Sequence, residues 1–349
     1  MTTKSSTARP LAVPAAGITL TVTGEPDTVA SLEELAAPFF PPLPGPGHPP
    51  PAGERHWQLD LVRGPVEGPA EAEPDGTAAH RTHFDRAARR ITVRCAEARW
   101  LPVIGLRYAR TLSRAVAIGA GAVPLHGAAV QLAGTGIILT GEKMAGKTTA
   151  ALSMVRSGGA LISNDDVLLV ERAENWQMVG GPRSVGIRTE SLGEHRPRLS
   201  ARHLAEAAGT HPSNRPEKRF LAPGAVERLG GSVLTRAPAH VLIELICEPD
   251  RPAGPGRSDA HPLEDKEAAA VLRAYLEEAA DRRRFELLDF LGAPPPSLTA
   301  DVLDSVVGSL RFHRYVHPAG GWVDDFLDFA RGLASPAPST APAGAVSAV

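Results

Sequence analysis

The chain has little of what marks several large classes of protein. It has two cysteines, Cys95 and Cys247, far apart and outside any C-x-x-C spacing. Neither a disulfide framework nor a zinc site is therefore expected, and a reducing cytoplasm fits best. It has no basic excess, with 37 Lys and Arg against 39 Asp and Glu and a formal net charge of −2. Nothing in that balance points to nucleic acid or to an anionic membrane surface as the main partner. No apolar run reaches the ~18 residues of a membrane span, and Met1 to Ala16 lacks the apolar centre of a signal peptide, so the protein is expected to stay in the cell. No internal repeat is visible. A soluble globular chain of 349 residues remains, long enough for two core units or one elaborated domain.

What is present centres on Gly136 to Val170. The run Gly141-Glu142-Lys143-Met144-Ala145-Gly146-Lys147-Thr148 fits G-x-x-x-x-G-K-[ST] at every fixed position. Ile137-Ile138-Leu139 leads in like a buried strand. Thr149 to Ser157 leads out as a helix, with Ala151, Met154 and Val155 on one face and Gly158-Gly159 as its stop. Strand, glycine loop and helix in that order predict a phosphate-binding loop. Glycines let backbone N–H groups curl around phosphate oxygens, and the helix N-terminus adds the positive end of its dipole. Lys147 is expected on the outer phosphates and Thr148 on Mg²⁺, with Thr149 closing the nucleotide-binding stretch.

Two further pieces flank the loop. Leu125 to Leu132 reads as a strand and Ala133 to Gly136 as a tight turn, so the strand entering the loop is the second arm of a hairpin, and folding brings His126 near Glu142 or Lys143. There it can donate to a γ-phosphate or orient a base; a packed or capping histidine is the plainer alternative. Downstream, Leu161 to Val170 is an apolar strand interrupted by Asn164, Asp165 and Asp166. Burying an unpaired charge costs several kcal/mol, so one of these acids is expected to face a cation, a donor or the cleft. Consecutive strand residues point to opposite sides, which leaves one of them, Asp165 by choice, in the cleft. A turn with solvent-facing acids is the other option.

The series Leu125-His126-Gly127, the hairpin into Gly141 to Thr148, one helix ending in glycine, and then Ser163-Asn164-Asp165-Asp166-Val167 resembles the catalytic half of HPr kinase/phosphorylase and the HPr-kinase-like proteins. The resemblance implies an α/β fold with a P-loop core akin to phosphoenolpyruvate carboxykinase. It also implies ATP and Mg²⁺ as cofactors and a serine-type hydroxyl of a peptide, protein or small molecule as phosphoryl acceptor. His126, Lys147 and Asp165 or Asp166 would be the catalytic residues, and Thr148 and Asp165 the metal ligands. At the family's first acid this chain has Asn164, which cannot take a proton, so an adjacent acid serves instead or part of the activity is lost. The family's later signature for the reverse reaction has no counterpart here. A nucleotide-binding regulatory protein that keeps the loop without transfer is the alternative.

Around this core, Met1 to Ala16 is expected to be disordered, 17–116 to form a smaller β-rich N-terminal domain, 117–333 the kinase-like domain, and 334–349 a disordered tail. A strand over Val241 to Ile246 and helices over Leu106 to Ile118, Asp265 to Leu288, Thr299 to Leu310 and Gly321 to Leu333 follow from apolar spacing. Residues 189–222, with six Lys and Arg amid His, Pro and Ser, read as a mobile insertion, either a flap over the site or a solvated loop. Homo-oligomer formation is left open.

Overall fold

The computed structural model describes residues 6–43, 55–68, 70, 77–173, 175–194, 199–254, 256–276 and 298–334. The expected tail past 334 and the second part of the helix expected to Leu288 lie outside them.

The architecture is α/β, with a smaller β-rich unit ahead of a larger core. The first unit is a five-stranded sheet in the order β1-β2-β3-β5-β4, built from β1 (Thr7–Val13), β2 (Ile18–Gly24), β3 (Arg55–Arg63), β4 (His80–Asp85) and β5 (Arg90–Cys95). Order was expected to begin at Ile18. It begins earlier, because β1 pairs antiparallel with β2 and buries Leu11 and Val13. The polar, small-residue composition of Met1 to Ala16 hid this strand, and its Pro10 is tolerated because β1 is an edge strand. Two helices cover the sheet, α1 (Pro26–Ala36) and α2 (Leu101–Gly119). α1 was not anticipated, although its first turn carries the helix-start signals Pro26 and Asp27. α2 starts five residues before the expected Leu106, since Pro102 in the first turn is compatible with a helix.

The core is organised on a seven-stranded sheet. Its strands are β7 (Ala128–Leu132), β8 (Thr135–Thr140), β9 (Ala160–Ser163), β14 (Ser232–Val233), β16 (Val241–Cys247), β17 (Asp259–Pro262) and β18 (Arg311–His317), in the order β14-β9-β7-β8-β16-β18-β17. β8, β16 and β18 run parallel at its centre. Alternate residues of β8 bury opposite faces. Ile137 and Leu139 pack towards α3 (Lys147–Arg156) and α7 (Val323–Ala334), while Ile138 packs towards α5 (Asp265–Tyr275) and α6 (Ala300–Ser309). Burial on both faces explains why these strands read as continuous apolar runs.

Two smaller sheets flank it. A four-stranded sheet, β15-β11-β10-β6, contains β6 (Val123–His126), β10 (Asp166–Arg172), β11 (Asn175–Val179) and β15 (Arg236–Pro238). A two-stranded ribbon pairs β12 (Val185–Arg188) with β13 (Lys218–Leu221). The stretch 189–222 is thus not a free flap as far as it is described. It holds α4 (Ala201–Ala208) and β13, and Leu199, Leu204 and Leu221 are buried in the same cluster as α3. At the edge of the seven-stranded sheet, β17 pairs antiparallel with β18. No helix among the described residues is long and apolar enough to cross a membrane.

Candidate active site

The two single strands expected to carry His126 and the acids are each broken, and the breaks build the site. Leu125 to Leu132 divides at Gly127, with β6 joining β10 in one sheet and β7 joining β8 in another. A Cβ at Gly127 would lie 2.7 Å from the carbonyl oxygen of Leu139, so only glycine lets the chain cross there. Leu161 to Val170 divides between Ser163 and Asp166. Ser163 Oγ accepts from Asp166 N–H at 3.2 Å and donates to Asp166 O at 2.5 Å, holding the bend. His126 therefore reaches the loop through its register pairing with Asp166, not as an extension of the β7–β8 hairpin.

The loop has the backbone its glycines require. Gly141 has φ 143° and Gly146 φ 85°, and Met144 carries a third positive φ at 76°. A Cβ on Gly146 would sit 2.6 Å from the Trp322 ring. α3 starts at Lys147 with no side-chain cap and no acid in its first turn, so its N–H groups and dipole end are left for an anion. Lys147 is 8% exposed, and its amine donates to the carbonyls of Gly141 at 2.6 Å and Glu142 at 3.1 Å. Burial pushes its pKa down, against the pull of Asp165 and Glu142 upward. Behind the loop, the His317 ring stacks on Trp322 at 3.9 Å. Its Nε2 lies 3.1 Å from Ala145 O and its Nδ1 2.7 Å from Pro318 O.

The acids differ sharply. Asp165 sits in the bend, where its Oδ1 is 3.7 Å from His126 Nε2 and its Oδ2 pairs with Arg183 Nη2. Asp166 is 2% exposed and lies between two guanidiniums, Arg183 through Oδ1 and Arg110 of α2 through Oδ2 at 3.3 Å. Arg183 thus spans both carboxylates. Burial pushes the Arg110 pKa down to about 10, opposed chiefly by Asp166. Removing one partner from a buried pair is costly. Asp166→Asn is expected to lower the free energy of unfolding in a urea titration by about 3 kcal/mol. A loss below ~1 kcal/mol, the range of exposed pairs, would show that the ion pair does not hold the two units together.

One cavity of about 630 Å³ is lined by His126, Lys143 to Thr149 and Asp165, together with Arg188 and Lys218 of the ribbon. Of the sequence-predicted residues, Gly141 and Glu142 are not among those that line it. Asp166, expected as a second catalytic candidate, lies outside it. Arg110, Arg183, His317 and Trp322 had no local sequence signal, since each arrives from an element remote in the chain.

Residues 120–188 match the family model described as HPr Serine kinase C-terminal domain. The matched stretch contains the loop, His126 and both acids, and it supports an HPr-kinase-like family for this α/β core. The Hpr(Ser) kinase/phosphatase from Coxiella burnetii aligns with 60% of this chain and 95% of its own, at 11% identity and a TM-score of 0.30. No curated protein matches.

Proposed function

We propose that the protein transfers the γ-phosphate of ATP, with Mg²⁺, to a hydroxyl of a peptide, a protein or a small molecule in the cytoplasm. The observation that carries this reading is the single cavity shared by Lys147, Thr148, His126 and Asp165. An uncapped helix N-terminus beside a buried lysine suits the phosphates of a nucleotide. Among the described residues no group of three or more His, Cys, Asp or Glu could hold a metal ion. Mg²⁺ needs few protein ligands when phosphates share it, and Thr148 and Asp165 are the residues that would hold it. Bound there, it would supply charge neutralisation across the phosphates. The loop amides and Lys147 stabilise charge developing on the transferred group. Asp165, the acid of the cavity wall that lies beside His126, accepts the hydroxyl proton in place of the amide at Asn164. His126, 3.7 Å away, orients that carboxylate.

Thermal unfolding tests the binding half of this reading. Mg·ATP at ~100 times its Kd should stabilise the protein by about 2.7 kcal/mol. No shift at millimolar Mg·ATP would sink any nucleotide-binding role.

A regulatory nucleotide binder without transfer is the second reading, and Asn164 favours it. Its Oδ1 is buried with no hydrogen-bond partner among the described residues, at the position where the resembled family has its first acid. Transfer from labelled ATP by the wild type decides for the kinase; transfer only after Asn164→Asp decides for the regulator.

A further inference from the structure

The β12–β13 ribbon carries a charge arrangement that the phosphate loop does not explain. Arg188 and Lys218 are direct cross-strand partners, and both line the cavity. Like charges placed opposite each other in a ladder are destabilising. Lys218 is held in place nonetheless. Its side chain lies against Gly186, where a Cβ would come within 2.6 Å of Cε, and its amine is 4.8 Å from the Phe220 ring centroid. Burial pushes the Lys218 pKa down, and Arg188, Arg183 and Arg215 push it the same way, against Asp165. Among the described residues no carboxylate forms an ion pair with Lys218, whereas Arg188 has the exposed Glu190 at 3.4 Å. Two cations and one acid leave this patch with a net positive charge, which matches a carboxylate better than a doubly charged phosphate.

Asp165 feels both sides of the cavity. It acts electrostatically on Lys147 in the loop and on Lys218 in the ribbon. A hydroxyl at Asp165 would thus have the donor phosphates on one cationic group and a second cationic group to spare.

We propose that Arg188 and Lys218 seat a carboxylate of the acceptor, so that the acceptor is a hydroxyl compound or residue carrying a free carboxylate a few bonds from the reacting oxygen. This rests on the kinase reading above. In the step itself the hydroxyl oxygen bonds to the γ-phosphorus, the bond from that phosphorus to the ADP oxygen breaks, and the hydroxyl proton passes to Asp165.

Calorimetric titration of the full chain saturated with Mg·ADP tests it. The probes are N-acetyl-O-phosphoserine, which carries the carboxylate, and the C-terminal amide of the same molecule, which does not. The acid should bind at least about tenfold more tightly than the amide, the scale of a charge-assisted hydrogen bond. In the double variant Arg188→Gln, Lys218→Gln that preference should fall below about twofold, with the affinity for Mg·ADP changed by less than about twofold. Equal binding of acid and amide by the wild type, or binding of neither, overturns the carboxylate seat while leaving the nucleotide site standing. Loss of Mg·ADP affinity in the double variant also overturns it, by assigning the ribbon cations to the donor. Failure of the wild type to bind Mg·ADP is the separate result that removes the kinase reading itself.

Discussion

Lys147→Ala is expected to lower phosphoryl transfer by about 10³-fold, at the upper end of what losing one positioned donor to a developing charge costs. The amine is mostly buried and already directed at the loop, bonded to the carbonyls of Gly141 and Glu142. It therefore has little reorganisation to make when phosphates arrive. The same burial disfavours its charged form, so the empty protein gains little from holding it there. Stability should change by only about 1 kcal/mol, the net value of an ordinary hydrogen bond, because the amine bonds to the loop and not to the core. Transfer of label from γ-phosphate-labelled ATP, measured beside a denaturant titration, separates the two effects. Transfer at the wild-type rate in a folded Lys147→Ala protein would falsify the kinase assignment.

Asp165→Asn is the second large effect. An amide keeps the shape of the carboxylate but cannot take a proton, and losing a positioned base costs on the order of 10²-fold or more. Its neighbour should behave in the opposite way. Asp166 is enclosed by Arg110 and Arg183, so Asp166→Asn should act on stability first and on transfer only mildly at temperatures where the fold holds. If the wild type and both variants show equally negligible transfer, the protein is a binder and not a kinase. If Asp166→Asn proves the more damaging to transfer in folded protein, the roles given to the two acids are exchanged.

What could be read beforehand was local. The loop is a contiguous pattern, the β7–β8 hairpin has its turn residues in sequence, and β16 is an apolar run buried on both faces. Those signals need no knowledge of distant partners. The two misread strands at the site share one cause: apolar periodicity does not say where a strand changes sheet. Leu125 to Leu132 and Leu161 to Val170 each looked like one strand, and each serves two sheets. The breaks fall at Gly127, demanded by the Leu139 carbonyl, and at the Ser163 bend, and neither demand is visible along the chain. Arg110 and Arg183 went unnoticed for a related reason. A lone arginine on a helix or in a loop reads as surface until the carboxylate it meets is known. His317 was hidden further still, since β18 itself was not anticipated, and Trp322 stood at the start of the helix expected over Gly321 to Leu333 with nothing to say that it meets the loop.

The Arg110 contact also bears on how this polypeptide can be divided. A fragment beginning after α2 would keep every residue of the phosphate loop, yet it would strand Asp166 with half of its positive surroundings. The β-rich unit would lose in turn the anion that makes a buried guanidinium tolerable. Each piece completes an electrostatic deficit in the other. The two halves expressed separately should accordingly recover one another on mixing, and the larger half should depend on the lead unit as on a subunit held by a covalent leash.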